Sequence, residues 1–414
     1  MVEKKVGKIS ILDLFAGCGG LSDGFLQTNK FEEIAAVEWK KPQVITLRHR
    51  LETKWGKKDV VKSVLLFDIQ KENELFVGND EIIGLDQLIG QHGSIDVIIG
   101  GPPCQAYSIA GRVRDENGMK FDYRNFLFEH YLSIVNRYKP DAFIFENVPG
   151  LLSANPAGTP VVKLITEGFS RVGFTIANDL SITQVNASDF GVPQSRKRLI
   201  ILGLRNEIFK NIDIQSALLK FYSVILPGYK SDKKITVKDA IGDLPNCEPF
   251  FDEQHHKKRI SHRTPVCSIS WQRPRYHNLR DMGTFHLLAE DIESGERKFN
   301  SKRITELYAE KVGAKSPIHR YHVLEPNEVS TTIIAHLRKD GNRFIHYDPK
   351  QCRTITPREA ARLQSFDDDF DFIGNQGSVY EMIGNAVPPK LAKCVAKALV
   401  EFLKEFYPKK YGEL

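Results

Sequence analysis

One cysteine of the chain follows a conformationally restricted backbone, which favours a chemical role for its sulfur. In IDVIIGGPPCQAYSIAG, residues 95–111, an apolar run ends in two glycines, two prolines and Cys104. Each proline fixes its own φ and restrains the residue before it, so Cys104 has little backbone freedom. A cysteine more often fills a hydrophobic core, but that role does not require a restricted backbone. We therefore interpret Cys104 as a candidate nucleophile, which requires an approachable and partly deprotonated sulfur.

Two other segments carry polar side chains that could assist a nucleophile. FENVPGLL places Glu146 at the end of an apolar run, where it could act on a substrate or only satisfy a turn. GVPQSRKRLIILG places Gln194, Arg196 and Arg198 at alternate positions, which share one face of an extended segment. The two arginines could reach a phosphate or orient Glu146, and the plainer interpretation is a solvated basic edge.

A glycine-rich turn near the N-terminus has the composition of a cofactor loop. DLFAGCGGLSDGF puts Gly17, Gly19 and Gly20 between a predicted strand and a predicted helix. Glycines there let the backbone approach a nicotinamide, a flavin or S-adenosylmethionine, or serve only a tight turn. In VEWK, Glu38 could hold ribose hydroxyls and Trp39 could stack on a purine. A surface glutamate and a half-buried tryptophan are an equally good interpretation of that pair.

Short apolar, β-branched runs alternate with helical patterns up to about residue 206. The predicted strands are 9–15, 33–38, 63–68, 95–100 and 141–146, followed by an antiparallel pair at 173–183 and 198–204. This alternation is typical of a doubly wound α/β sheet, in which ligands bind beyond the carboxyl ends of the strands. The glycine turn, the Cys104 segment and the acids that end the strands would all lie there. Among these acids, Asp68 could accept from an exocyclic amine or be only a turn residue.

The regular alternation fades between about residues 207 and 351, which predicts a smaller and more irregular domain. Order returns where Thr356, Pro357 and Glu359 have the pattern of a helix start with a capping box. Apolar residues then recur at helical spacing over 388–407, which predicts an amphipathic helix docked on an apolar surface.

Bulk composition indicates an ordinary globular protein. The 414 residues suffice for roughly two or three domains, and the net charge of +6 does not by itself argue for nucleic acid. The six cysteines have no CxxC or zinc-site spacing, which favours free intracellular thiols without a metal. Asp13 interrupts the apolar N-terminal run, and no apolar run approaches the ~20 residues that span a bilayer. We expect a cytoplasmic protein.

In their order along the chain, these segments resemble the DNA (cytosine-5)-methyltransferases of the bacterial restriction-modification type. The resembling segments are DLFAGCGGL, EW, FDI, GGPPCQAYS, DYRNFLF, FENVPGLL, GVPQSRKR, RTITPREAARLQSF and IGNAVPP. They cover about residues 1–206 and 352–414, and the ordered set is far more specific than any one member. Phe190 stands where a tyrosine is more usual, and the middle of the chain resembles nothing that we can name.

The resemblance implies a fold and a domain organisation. The fold is a doubly wound S-adenosylmethionine-dependent methyltransferase sheet over 1–206, completed by 378–414. Residues 207–377 form a smaller, irregular inserted domain that recognises DNA. The implied cofactor is S-adenosylmethionine. The implied partners are double-stranded DNA and a cognate restriction endonuclease acting on the same site.

The resemblance also implies a mechanism, in which a methyl group passes to C5 of a cytosine that has been rotated out of the duplex. The Cys104 thiolate attacks C6, and Glu146 meets the charge that arrives at N3. Arg196 and Arg198 complete the catalytic set, with Arg196 holding the ring oxygen or the glutamate. The implied cofactor contacts are Phe15, Gly17, Gly19, Leu21, Glu38, Trp39, Asp68, Ile69, Pro102, Leu127, Asn385 and Val387.

A basic segment of the insertion is the predicted DNA contact. Residues 254–280 hold seven Lys or Arg, four His and no acid. A charge run is usually a solvated face, but opposite an active site phosphate contact is the better interpretation. The residues expected to bind DNA are Lys257, Lys258, Arg259 and Arg263.

Three alternative functions use parts of the same pattern. A tRNA cytosine methyltransferase would share the scaffold, but its Cys-Phe-Thr signature is absent and the insertion is long and basic. A nicotinamide-dependent oxidoreductase would explain the glycine turn and Glu38 but leave PPCQ, ENV and QSRKR unexplained. A catalytically idle DNA-binding protein would have no need of Cys104 and Glu146.

Overall fold

The computed structural model describes residues 7–102, 127–155, 158–313 and 321–414, so Cys104 lies outside the described residues. The chain divides into two compact units. Unit 1 comprises Met1–Phe190, Lys197–Asp232 and Val387–Leu414, and unit 2 comprises Gly191–Arg196 and Lys233–Ala386. These boundaries differ from those of the predicted domains, because residues 207–232 pack within unit 1 and residues 191–196 within unit 2. The return to unit 1 comes at Val387, later than the predicted residue 378.

The described part of unit 1 is built on an eight-stranded sheet. Its strands are β1 Ile9–Leu14, β2 Phe31–Glu38, β3 Val64–Leu66, β4 Val97–Gly100, β5 Ala142–Asn147, β6 Phe174–Thr175, β7 Gln184–Asn186 and β8 Lys197–Arg205. The order is β3–β2–β1–β4–β5–β8–β6, with β7 beside β8. Strands β1 to β5 pair in parallel, and β8 pairs antiparallel with β5, β6 and β7. The predicted α/β sheet is confirmed.

The predicted strand over 173–183 forms only in part. Its first residues give the two-residue strand β6, and Leu180–Thr183 is a 3-10 helix. The Asp179 side chain accepts a hydrogen bond from the Ser181 backbone and thereby caps this turn. Such local side-chain bonds compete with strand pairing, which explains the interruption. The next strand, β7, is one that the sequence pattern did not predict.

Helices connect and cover these strands. In chain order they are α1 Gly20–Leu26, α2 Lys41–Thr53, α3 Val60–Ser63, α4 Glu72–Val77, α5 Leu85–His92, α6 Leu127–Tyr138, α7 Val161–Arg171, α8 Ile214–Lys220, α9 Val237–Ile241, α10 Glu253–Lys257, α11 Leu279–Glu293, α12 Ser301–Val312, α13 Pro357–Leu363, α14 Gln376–Asn385, α15 Pro389–Phe406 and α16 Pro408–Tyr411. Helices α9 to α14 belong to unit 2. In the described part of the chain, no helix combines the length and the apolar character needed to cross a membrane.

Apolar cores cover both faces of the unit 1 sheet. On β2, Ala35 and Val37 join a large core with residues of α5, α6 and α7. Ala36, between them, joins a second core with residues of α1, α2 and α3. Because successive strand residues point to opposite faces, the sheet is covered on both sides, as in doubly wound folds.

The long helix α15 packs on α1 within unit 1. Its residues Leu391, Val395, Leu399 and Phe402 are fully buried at helical spacing. The two helices approach closely at Gly24, where a Cβ would collide with the side chain of Ala392 and the carbonyl of Pro389. The amphipathic helix predicted over 388–407 is therefore confirmed.

Helix α13 of unit 2 begins with the predicted capping box. The Thr356 hydroxyl accepts from the Glu359 backbone N–H at 3.1 Å, and the Glu359 carboxylate accepts from the Thr356 backbone N–H at 2.8 Å. Arg353 also donates to both oxygens of Glu359 at 2.7 Å, deep in the unit. The start of α13 is thus fixed by a buried ion pair as well as by its cap.

Candidate active site

The parallel strands of unit 1 end at one edge of the sheet, which we call the carboxyl edge. Leu14 of β1 lies opposite Val37 of β2 and Gly100 of β4, and Gly100 lies opposite Phe145 of β5. The residues at the ends of these strands, and those that directly follow them, are therefore brought to the same edge. They include the glycine turn, Glu38, Pro102 and Glu146, with Asp68 two residues beyond the end of β3.

The glycine turn after β1 has an unusual backbone. Phe15 has a φ of 58°, Gly17 of 58° and Gly19 of 90°. A left-handed conformation is rare for an aromatic residue and costs about 1 kcal/mol or more, so it persists only where the surroundings enforce it. A Cβ at Gly19 would lie 2.5 Å from Leu47 Cδ1, whereas one at Gly17 would meet no atom within 4 Å. The turn is packed on its Gly19 side and open at Gly17, while Leu21 in α1 is buried.

Glu38, at the end of β2, is held by three backbone N–H groups. Its Oε2 accepts from Gly17 at 2.9 Å, and its Oε1 accepts from Trp39 at 3.0 Å and from Lys40 at 2.9 Å. Burial raises the pKa of Glu38, and these hydrogen bonds oppose that rise. A carboxylate has about four acceptor positions, so one remains, on Oε2. The protein backbone therefore holds the Glu38 carboxylate in one orientation, and the carboxylate can accept one further hydrogen bond.

Trp39 and Asp68 are the next two predicted cofactor contacts. Trp39 directly follows Glu38 in the chain, and Asp68 lies at the same edge of the sheet, after β3. The Trp39 side chain is 55% exposed, although it follows a buried glutamate. Asp68 is half-buried, and its Oδ1 accepts from the Gln70 backbone N–H at 3.1 Å. Ile69 is buried in the large core. The edge thus presents an open aromatic face and a carboxylate with unused acceptor capacity.

Glu146 lies close to the chain that leads toward Cys104. A Cβ at Gly101 would be only 2.7 Å from Glu146 Oε2, so the carboxyl group lies against the Gly101 backbone and a side chain there would displace it. The Asn147 side-chain amide donates to the Pro102 carbonyl at 3.4 Å. Neither Gly101 nor Asn147 has a role in the sequence-based prediction, although both stand inside the GGPPC and ENV segments. Pro102 and Leu127, the predicted cofactor contacts on either side of the undescribed residues, are buried.

An ion pair orients Glu146. Arg198 Nε lies 2.9 Å from Glu146 Oε1, and both side chains are largely buried. Arg198 Nη1 also donates to the Lys197 carbonyl at 2.7 Å. Burial lowers the pKa of Arg198, and the adjacent carboxylate opposes the decrease. The pair fixes one carboxylate oxygen and leaves the other beside Gly101.

Arg196 has different partners from Arg198. Its guanidinium is buried in unit 2 and donates to the backbone carbonyls of Ile333 at 2.9 Å, Gly384 at 3.2 Å and Ala386 at 3.0 Å. The alternate spacing allowed either arginine to orient Glu146, and in the structure Arg198 forms that ion pair. The reason is that the chain passes from unit 2 to unit 1 between Arg196 and Lys197. Of the two remaining predicted contacts, Asn385 is exposed and Val387 is buried.

The described cysteines are free thiols, and most are poor candidates for a nucleophile. Burial raises the pKa of Cys18 to about 12 and the pKa values of Cys247 and Cys352 to about 11. It also raises the pKa of Cys394. Because the thiolate is the reactive form, these shifts disfavour the nucleophilic state of all four thiols.

The four predicted DNA-binding side chains of unit 2 are all exposed. Lys257 pairs with Glu253 at 3.4 Å and Arg263 with Glu248 at 3.4 Å, in both cases between exposed groups. Within the described ranges, neither Lys258 nor Arg259 has a carboxylate oxygen within 4 Å of its charged nitrogens. Surface ion pairs of this kind are weak, so they do not hold these cations away from a polyanion.

These cations lie on a short hairpin, residues 248–263. The Phe250 N–H donates to the Ser261 carbonyl at 2.9 Å, and the Arg263 N–H donates to the Glu248 carbonyl at 2.8 Å. Two histidines of the basic segment are instead buried: burial lowers the pKa of His262 to about 4 and that of His277 far below its usual value. These two histidines therefore add no positive charge at neutral pH. Four of the six exposed Lys and Arg of the segment lie in the hairpin, which also carries the exposed acids Glu248, Asp252 and Glu253.

Comparison with known proteins identifies the family. Residues 9–401 match the family model of the C-5 cytosine-specific DNA methylases. The type II methyltransferase M.Bpa9945I of Bacillus paralicheniformis is 30% identical over 456 residues, covering 95% of this chain and 99% of that protein. The type II methyltransferase M.XorII of Xanthomonas oryzae pv. oryzae is 31% identical over 418 residues, covering 97% and 87%.

Solved structures agree with this assignment. A prophage-encoded E. coli protein assigned as a DNA modification methyltransferase superposes with a TM-score of 0.58 at 26% identity, over 96% of this chain and 100% of that chain. The Dnmt2 methyltransferase of S. pombe superposes with a TM-score of 0.53 at 14% identity, over 97% and 99%, which supports the fold alone. Because the family model spans nearly the whole chain, this protein belongs to the C-5 cytosine-specific DNA methylases.

Proposed function

We propose that this enzyme transfers a methyl group from S-adenosylmethionine to C5 of one cytosine within a specific duplex DNA sequence. We further propose that it is the modification enzyme of a restriction-modification system and shares its site with a cognate endonuclease. The observation that carries the proposal is the ion pair of Glu146 and Arg198, beside the backbone that leads to Cys104. The same edge of the sheet carries the buried Glu38 and the open face of Trp39.

The carboxyl edge fits S-adenosylmethionine. A ribose hydroxyl can donate to the remaining acceptor position of Glu38, and an adenine ring can stack on Trp39. The adenine amino group can donate to Asp68, and the open space at Gly17 lets a ligand approach the turn. When bound, this cofactor supplies a methyl group on a sulfonium centre. The other proposed contacts are Phe15, Gly19, Leu21, Ile69, Pro102, Leu127, Asn385 and Val387.

The residues of this chain must make C5 of cytosine nucleophilic. The Cys104 thiolate forms a bond to C6, and the ring electrons move toward C5 and N3. Glu146 shares a proton with N3 and so meets the charge there, while Arg198 holds the carboxyl group in place. After C5 has taken the methyl group, a water molecule accepts the C5 proton. The electrons of the C–H bond then restore the C5–C6 double bond, and the S–C6 bond breaks and returns the thiolate. This chemistry requires the base to be rotated out of the duplex.

We propose that unit 2, whose main segment is Lys233–Ala386 rather than the predicted 207–377, recognises DNA sequence, with the hairpin 248–263 supplying phosphate contacts. Bisulfite sequencing of DNA from cells that express the protein tests the whole function. The expected result is conversion-resistant cytosine at one recurring sequence. Uniform conversion of every cytosine, with the protein folded and expressed, would contradict the proposed activity.

Replacement of Trp39 with alanine is expected to weaken the binding of S-adenosylmethionine by ~1–3 kcal/mol, because stacking and buried ring area are lost. Isothermal titration calorimetry measures the change. The Trp39→Phe variant is the matched control, since it keeps an aromatic face and should lose much less affinity. If Trp39→Ala binds the cofactor as the wild type does, Trp39 is not part of the pocket.

Replacement of Lys257, Lys258 and Arg259 together with glutamine is expected to flatten the dependence of log DNA affinity on log salt by up to ~3 units, about one per contacted phosphate. Fluorescence anisotropy with a labelled duplex at several salt concentrations measures the slope. The control replaces three scattered, exposed lysines of unit 1, which changes the net charge equally: Lys62, Lys163 and Lys210. An equal change of slope in both variants would mean that only the net charge matters.

A further inference from the structure

The open end of the hairpin 248–263 presents two large apolar side chains to solvent. Phe251 is 63% exposed and Ile260 is 43% exposed. The Phe250 N–H donates to the Ser261 carbonyl, so the register places Phe251 and Ile260 opposite each other as the next pair. Residues that lie opposite each other in an antiparallel pair share one face. A single exposed apolar residue is ordinary, but two that face each other at the end of a hairpin form a contact surface.

The backbone around these two residues is held in place. The one-turn helix α10 connects them, and its start is capped by the Asp252 carboxylate, which accepts from the His255 N–H at 3.0 Å. The Ile260 N–H donates to the His255 carbonyl at 3.0 Å, and the His255 ring stacks on Phe250 at 3.9 Å between centroids. A ligand therefore meets Phe251 and Ile260 in positions that need little further ordering.

Arg259 occupies a backbone conformation that favours glycine. It directly follows the last turn of α10, and its φ is 57°. Many helices end in a residue of this left-handed conformation, which is usually glycine because a Cβ is unfavourable there. Such strain persists mainly at functional positions. An arginine is explained here if its charge has a function that offsets the strain.

The end of α10 carries positive charge that the hairpin does not neutralise. Each acid of the hairpin already faces a basic residue of the hairpin, in the pairs Glu248 with Arg263, Asp252 with His255 and Glu253 with Lys257. Lys258 and Arg259 therefore add unbalanced charge immediately before Ile260. A surface that joins cations to apolar groups matches duplex DNA, in which phosphates border grooves that expose base edges and thymine methyl groups.

We propose that Phe251 and Ile260 contact base edges of duplex DNA and determine part of the target sequence, while Lys258 and Arg259 hold the neighbouring phosphates. The inference rests on the proposed function and names side chains that read the sequence. Phosphate contacts position a protein on DNA but carry no sequence information, whereas apolar contacts with base edges do. The two pairs of residues should therefore differ in what their loss changes.

The test uses the full-length protein and a library of duplexes with a randomised segment. Bisulfite sequencing after methylation gives the preference for each base at each position around the modified cytosine. Phe251→Ala and Ile260→Ala are each expected to lower this preference roughly tenfold at one or more positions. Neither variant should change the dependence of log DNA affinity on log salt, because an apolar contact releases no counterions.

Two variants of the neighbouring cations give the opposite pattern. Lys258→Gln should keep every base preference and flatten the salt dependence by about one unit. Arg259→Gly should do the same and should keep or raise the melting temperature, because glycine relieves the strained backbone.

Leu287→Ala is the matched control for the apolar variants. Leu287 is an exposed apolar residue of unit 2 that lies on α11, outside the hairpin. Its replacement should leave the base preferences, the salt dependence and the melting temperature unchanged.

The outcomes separate this inference from the proposed function. If Phe251→Ala and Ile260→Ala methylate with the wild-type base preferences, the apolar pair does not read sequence and the inference is wrong. If Leu287→Ala relaxes the same positions, the change reflects general loosening of unit 2, which also overturns the inference. Both results leave the proposed function intact. A wild-type protein that methylates no sequence of the library would contradict the proposed function itself.

Discussion

Replacement of Cys104 with serine is expected to abolish methyl transfer almost completely while the binding of S-adenosylmethionine and DNA persists. A serine hydroxyl is far less ionised than a thiol at neutral pH and is a poorer nucleophile, so it cannot activate C5. Neither the contacts of Glu38 nor the basic hairpin depends on the sulfur. Incorporation of a labelled methyl group into duplex DNA measures activity, and calorimetry measures binding.

Cys394→Ser is the matched control for this variant. Cys394 lies in α15 of unit 1, and burial raises its pKa, so it has no part in the proposed chemistry. It should retain methyl transfer. A Cys104→Ser protein that still methylates DNA would show that the Cys104 thiol is structural.

Replacement of Glu146 with glutamine is expected to lower the rate constant of methyl transfer by ~10²–10⁴, the usual contribution of a group that handles a proton in the transition state. Glutamine has nearly the same shape but cannot share a proton with N3. Single-turnover kinetics at saturating cofactor and DNA measures the effect. Arg198→Met should act in the same direction, because it leaves the carboxyl group without the partner that orients it.

A second arginine of β8 provides the control for Arg198. Arg205 Nη2 pairs with Asp141 Oδ1 at 3.2 Å, at the other end of the same strand. Arg205→Met removes a comparable ion pair far along the strand and should leave the rate constant unchanged. If it slows the reaction as much as Arg198→Met does, the Arg198 effect reflects the stability of the sheet.

The strands that position the site could be predicted because they are buried on both faces. A strand of that kind is a nearly continuous apolar run, as in VIIG of β4 or AFIFEN of β5, and its end marks the ligand-binding edge. Glu38 and Glu146 could be assigned to this edge because each stands where the apolar run of its own strand, β2 or β5, ends. The partial failure at 173–183 has a local cause, the side-chain cap of Asp179, which competes with strand pairing.

The different partners of Arg196 and Arg198 could not be predicted from the spacing of the two residues. Alternation places both on one face only while the chain stays in one strand, and here it changes units between them. The burial of His262 and His277 could not be predicted either. Composition shows how many ionisable groups a segment has, but it does not show which of them are removed from water. Both failures concern long-range packing, which adds partners that the local pattern does not contain.

The central claim is that Cys104 forms a covalent bond to C6 of the target cytosine, and a mechanism-based trap tests it most directly. A duplex library made with 5-fluorocytosine contains the target whatever its sequence, and fluorine cannot leave C5 as a cation, so the bond to the enzyme should persist after methyl transfer. The predicted result is a protein–DNA band that survives denaturing electrophoresis, requires S-adenosylmethionine and is absent for Cys104→Ser. A band that forms equally well with Cys104→Ser, or a wild-type enzyme that methylates ordinary DNA but is never trapped, would contradict the mechanism.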